Sequence, residues 1–255
     1  MRNSIKFFDL SFNEFSSLLY TAFTKSDKHF FNTRTIMSVI KNLYYNVGVD
    51  VRDGKYCGNT ILCSIYAPYY SFDANYGKYL RDISVIAGKL TAHYGGTLQA
   101  PYSVNLQTRF TYSDFHFFSK CPLKDDKFSN FVLFSVLCSI NYVRYFINEY
   151  FTDEFSSKLR FSYLLYYYLV SFMIEVNNKL STDFKIDNKY SNSNFRNCMA
   201  HYGLGQEMKE ADIIESDTMM FGLTDKIFLI PYSELKGEIF SELAKLANQL
   251  EAYLF

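Results

Sequence analysis

Between residues 130 and 151, apolar side chains recur at three- and four-residue spacing through Val132, Val136, Ile140, Val143 and Ile147, and no glycine or proline breaks the run. That pattern predicts a helix with an apolar face that must be buried. A second run extends from Asp153, read as its N-cap, to about residue 180. Its apolar residues, among them Leu159, Tyr163, Leu164, Tyr167, Val170 and Ile174, cover more than one stripe, so this helix should be buried on most sides. A short helix is predicted over residues 194–202, because Ser191, Asn192, Ser193 and Asn194 are all good caps and Gly203 and Gly205 stop it. A last helix covers residues 233–254, with Leu235, Ile239, Leu243, Leu246 and Leu250 in register. Two long helices, a short one and a closing long one make a small antiparallel bundle.

The expected fold class is therefore mainly α, divided near the polar stretch that follows Cys121 and Pro122. Residues 125–255 form the helical bundle. Residues 1–124 form a mostly helical region, with room for a short strand or hairpin and no role legible in its sequence. Within it, residues 11–23, 33–45 and 79–91 read as helices and 59–67 as a short strand. Asn46-Val47-Gly48 and Asp53-Gly54 read as turns, and an irregular stretch runs from Gly95-Gly96 past Pro101.

Charge and composition exclude several classes of function. The 26 basic and 26 acidic residues cancel, which rules out binding a nucleic acid by bulk charge alone but leaves room for a local phosphate site. The aromatic content, 26 Phe and 23 Tyr with no Trp, is what AT-rich coding favours; it supplies a core, and by itself no base-stacking platform is inferred from it. Five scattered cysteines, Cys57, Cys63, Cys121, Cys138 and Cys198, form no CxxC pair, and no histidine stands at a zinc-ligand spacing. They read as reduced, mostly buried thiols, and no metal or other cofactor is expected. The first residues lack the apolar core of a signal peptide. The uncharged stretch 161–174, bounded by Arg160 and Glu175, is shorter than the roughly 20 residues that span a bilayer. The expected location is the cytoplasm, with no membrane partner.

Of the four histidines, His29, His93 and His116 have no partner pattern and read as structural or surface residues. His201 differs. It closes the run Phe195-Arg196-Asn197-Cys198-Met199-Ala200-His201 on the short helix. Asn197 and His201, four apart, share one helical face, and Arg196 at the helix start can bend its long side chain toward the same mouth. Arginine offers planar, permanently charged donors to phosphate oxygens, and histidine titrates near neutral pH and can exchange a proton with a ribose 2′-OH or a leaving oxygen. Asn197 can orient either group through its amide.

An arginine, a polar residue, three more residues and a histidine, on a short helix after two long ones, resembles the signature of HEPN domains. The resemblance covers about residues 127–255 and points to Arg196, Asn197 and His201 as the catalytic set. It implies a metal-independent endoribonuclease in which the RNA 2′-OH is the nucleophile, of the kind found among toxins and antiviral or stress effectors. It also implies a homodimer in which two motif helices build one composite RNA cleft. A cognate antitoxin or inhibitor is the further partner it suggests. The rival readings are a non-catalytic module binding RNA, a nucleotide or a protein through the same groove, and a purely structural dimer.

Weaker candidates read as structural. The pairs Asp125-Asp126 and Asp153-Glu154 suit linkers and caps, and Gly203-Leu204-Gly205 follows a helix with no strand before it. The acidic stretch Glu207, Glu210, Asp212, Glu215 and Asp217 is irregularly spaced. Lys158 and Arg160, early in the second long helix, stand where they could track an RNA backbone.

Overall fold

The computed structural model describes residues 46–59, 76–93, 111–116, 128–201, 207–214 and 222–255, with isolated residues 11, 14, 17, 103, 105, 107, 123, 124 and 220. The fold is mainly helical, with a small antiparallel sheet packed on the helices. In chain order the elements are β1 (Asn46–Arg52), β2 (Lys55–Asn59), α1 (Tyr76–His93), β3 (Thr111–His116), α2 (Phe128–Asn141), a π-helix (Tyr142–Tyr150), α3 (Ser156–Leu180), α4 (Ser193–His201), a 3-10 turn (Glu210–Asp212), α5 (Leu223–Phe228) and α6 (Tyr232–Leu254).

The four helices expected in the second half are all present, and the first of them changes register. At Tyr142 it passes from α to π geometry, and this brings Tyr142, Phe146 and Tyr150 into a ring stack with centroids 4.9 and 5.3 Å apart. Asp153 does not cap α3. The cap position is Phe155, with no side-chain hydrogen bond, and the Asp153 carboxylate instead accepts the Ser103 N–H at 2.6 Å.

α2 is the central element. Leu133, Leu137, Cys138 and Ile140 are fully buried, and the hairpin, α6 and the π-helix pack around it. The segment Ser129–Tyr150 is long and apolar enough to cross a membrane, the one such helix among the described residues, and most of it is buried inside the fold. α6 lays Leu235, Ile239, Leu243, Leu246 and Leu250 into the same core, as its spacing requires.

The sheet has the order β2-β1-β3, antiparallel throughout. Asn46-Val47-Gly48 is therefore strand and not turn, because these residues pair with His116, Phe115 and Asp114. The turn is Asp53-Gly54, with φ of 49° and 76°, and Arg52 pairs with Lys55 across it. Positive φ at both central residues is what a two-residue type I′ hairpin needs, and an Asp-Gly pair supplies it at least strain. The hairpin docks through Tyr56, whose ring lies 5.2 Å from Phe134 and 5.3 Å from Phe255, and through the Lys55–Glu251 ion pair at 2.6 Å. Buried Asn141 donates to the Tyr56 carbonyl at 3.1 Å.

The helix expected over 79–91 is α1. Of the expected strand 59–67 only Asn59 is described, and it closes β2. The expected helices 11–23 and 33–45 lie outside the described residues apart from Ser11, Glu14 and Ser17. There Ser11 and Glu14 cap one another, the Glu14 N–H reaching Ser11 Oγ at 3.3 Å and the Ser11 N–H reaching the Glu14 carboxylate at 2.8 Å.

Candidate functional site

α4 is too short to hold its shape alone, and its neighbours fix it. Asn192, within the predicted cap cluster, caps it: its Oδ1 accepts the Phe195 N–H at 2.9 Å. The Tyr163 hydroxyl of α3 accepts the Asn192 N–H at 3.0 Å and donates to the Tyr190 carbonyl at 2.9 Å. One turn further along α3, Tyr166 donates to the Asp187 carbonyl at 2.6 Å. Burial pushes both phenols up, Tyr166 to about 12, so both remain neutral donors. Phe195, fully buried, seats the helix with its ring 4.5 Å from Tyr163 and 5.0 Å from Phe228.

With Phe195, Cys198 and Met199 turned inward, the opposite side of α4 faces solvent. Asn197 and His201 both lie there, exposed, one turn apart on one face as their spacing requires. Arg196 is not beside them. At about 100° per residue it stands roughly 140° around the helix from His201, on the flank toward α3. Its guanidinium carbon sits 5.5 Å from the Tyr167 ring centroid. The expectation that Arg196 bends toward the mouth occupied by His201 is therefore not what one chain shows: the helix joins Asn197 to His201 and sends Arg196 to Tyr167.

The environment of Arg196 is unusual for a structural arginine. Among the described residues no carboxylate lies within ion-pair distance of it, and its Nε is buried without an acceptor. Leaving such a donor unmade costs about 1–3 kcal/mol, so packing stability does not account for its placement.

Sequence reasoning missed one role in this region. Arg160 donates from Nε to the Met199 carbonyl at 2.6 Å, at the C-terminal turn of α4. It is tied to the protein backbone, where the sequence suggested RNA tracking. Lys158 is likewise structural: it is buried, donates to the Phe151 carbonyl at 2.8 Å, and lies 4.0 Å from Glu154 and 5.4 Å from the Phe155 ring centroid. Burial lowers its pKa against the opposing pull of Glu154. No sequence signal could have found either contact, because each partner is fixed by how the chain folds back.

The remaining candidates add no chemistry. Asp212 is paired with Lys226 at 2.6 Å, and among the described residues no three His, Cys, Asp or Glu side chains are grouped to hold a metal ion. His93 ends α1 and His116 ends β3, while His29, Asp125-Asp126 and Gly203-Leu204-Gly205 lie outside the described residues. Cys57, Cys138 and Cys198 are buried, as expected, and form no disulfide among the described residues; Cys63 and Cys121 lie outside.

A groove of about 660 Å³ opens elsewhere, between α3, residues 183–188 and α6. Its polar side chains stitch that segment down: Asn177 brackets Phe184, Gln249 brackets Lys185, and Glu242 accepts the Asp187 N–H at 3.0 Å. Comparison with protein-family models, with curated proteins and with solved structures finds no match to this chain.

Proposed function

We propose that the chain is a metal-independent endoribonuclease of the HEPN type. The observation that carries this reading is the pairing, on one short helix, of a guanidinium with no carboxylate partner among the described residues and an exposed imidazole. A cation beside an aromatic face, with no carboxylate among the described residues against it, is receptive to phosphate, and a solvent-facing histidine can exchange protons with it. In this reading Arg196 holds the scissile phosphate and stabilises the charge that grows on it. His201 accepts the 2′-OH proton or returns one to the leaving oxygen, and Asn197, one turn away, orients the imidazole or the substrate. The 2′-OH is an internal nucleophile, so no metal-activated water is required. The products are a 2′,3′-cyclic phosphate, or the 3′-phosphate after its hydrolysis, and a 5′-hydroxyl.

The rotation between Arg196 and His201 favours a site completed by a second copy, in which the arginine of one chain and the histidine of its partner meet across one cleft. α3 offers a surface for that pairing, since Phe161 is 48% and Tyr168 42% exposed on the helix that carries Arg160 and Tyr167. The three described cysteines are buried with no disulfide among them, which suits a reducing compartment, and the cytoplasm is the proposed location. By its resemblance the protein would serve as a toxin or an antiviral or stress effector, held in check by an antitoxin or inhibitor.

The test is cleavage of transfer RNA or bulk RNA in excess EDTA by wild type, Arg196→Ala and His201→Ala. Each variant is expected to lose about 100-fold or more of the rate while staying folded. Folded variants that cut as fast as wild type overturn the assignment. Saturable RNA binding without cleavage, abolished by Arg196→Ala, would favour the non-catalytic module.

A further inference from the structure

Met199 lies two residues before His201, in the last turn of α4. Its carbonyl accepts from Arg160 Nε at 2.6 Å, across 39 positions of sequence. At the other end of α4, Tyr163 holds Asn192. Two side chains of α3, three residues apart, thus grip the motif helix at Asn192 and at Met199. The fastenings differ in what they secure. The Asn192 contact secures the start of the helix, whereas the Met199 contact grips the backbone next to Ala200 and His201.

We propose that Arg160 is a positioning residue for His201: by gripping the Met199 carbonyl it fixes the turn from which the imidazole projects. This rests on the ribonuclease reading. Arg160 acts through backbone and does not touch substrate, so its loss disturbs the geometry of proton transfer and leaves RNA affinity alone. A displacement of ~1 Å at such a site lowers the rate by as much as ~100-fold.

The experiment compares the full chain as wild type, His201→Ala, Arg160→Met and Arg160→Lys on a short single-stranded RNA in EDTA, with amide hydrogen exchange read in parallel. Arg160→Met is expected to lower kcat roughly tenfold or more while KM stays within about twofold. The Ala200 and His201 amides exchange faster in that variant, and the Phe195 amide does not. Arg160→Lys keeps a cationic donor and recovers most of kcat. Unchanged kcat in Arg160→Met overturns the proposal, and so does a raised KM with kcat intact, which would mean direct contact with RNA. Failure of lysine to recover any rate also overturns it. A wild type that cuts no RNA, or a His201→Ala variant as active as wild type, removes the ribonuclease reading and this proposal with it. Those two outcomes are visible before any Arg160 variant is assayed.

Discussion

The Tyr167 ring faces the Arg196 guanidinium at 5.5 Å, from one helix to the next, while the Nε of that guanidinium is buried with no acceptor. The ring supplies an attraction of the kind a carboxylate would supply, and among the described residues no carboxylate neutralises the charge. Tyr167→Leu is expected to weaken that hold by about 0.5–1 kcal/mol, a loss in kcat/KM of roughly two- to fivefold. Tyr167→Phe keeps the ring face and is expected to match wild type. Steady-state RNA cleavage by the two variants checks both outcomes.

The clasp at Asn192 predicts graded losses of stability. Asn192→Ala removes the cap on α4 and is expected to cost about 1 kcal/mol. Tyr163→Phe strips the hydroxyl that serves both the Tyr190 carbonyl and the Asn192 N–H, in a place where water does not replace it, and is expected to cost about 1–3 kcal/mol. Urea midpoints at constant slope measure both.

Acid should loosen the joint between α3 and α6. Burial alone would raise the Glu154 pKa, but Lys236 and the Tyr232 hydroxyl, which donates at 2.7 Å, outweigh it and hold the carboxyl below its ordinary 4.5. A depressed folded-state pKa contributes stability that is complete above the unfolded value and is lost as pH falls through the folded one. Wild type is therefore expected to lose stability below about pH 4.5 more steeply than Glu154→Gln. Denaturation midpoints between pH 7 and pH 3 compare the slopes; parallel curves would count against the assignment of this effect to Glu154.

The α3 surface carries the prediction about assembly. A carboxylate in place of an exposed aromatic at the centre of a self-pairing face must be desolvated in the dimer, so Phe161→Glu and Tyr168→Glu are expected to sediment as monomers where wild type is a dimer. Where the cleft is composite, the same variants lose RNA cleavage while keeping their helical content. A wild type that stays monomeric at micromolar concentration removes the composite cleft.

The helices of the second half were legible because their signals are local. A cap cluster placed the start of the short helix at 194 against the observed Ser193, and spacing placed the last helix at 233–254 against Tyr232–Leu254. The strands were not legible. Val47, Val49 and Val51 alternate in β1, but Asn46 and Gly48 carry turn chemistry, and only pairing with β3, dozens of residues on, makes that segment a strand. At the candidate site the face shared by Asn197 and His201 follows from a four-residue spacing. The turning of Arg196 toward Tyr167 and the grip of Arg160 on Met199 depend on how α3 and α4 are laid together, and neither sequence segment contains that information.

The seat of the β1–β2 hairpin has a consequence for the birth of the chain. Lys55 and Tyr56 leave the ribosome early, yet their partners Glu251 and Phe255 are made nearly two hundred residues later, Lys55 and Glu251 being 196 positions apart. Translation delivers the lock before its keyhole. α2, made about seventy-five residues after the hairpin, covers Tyr56 from one side, and the side that meets Phe255 stays open until α6 has been made.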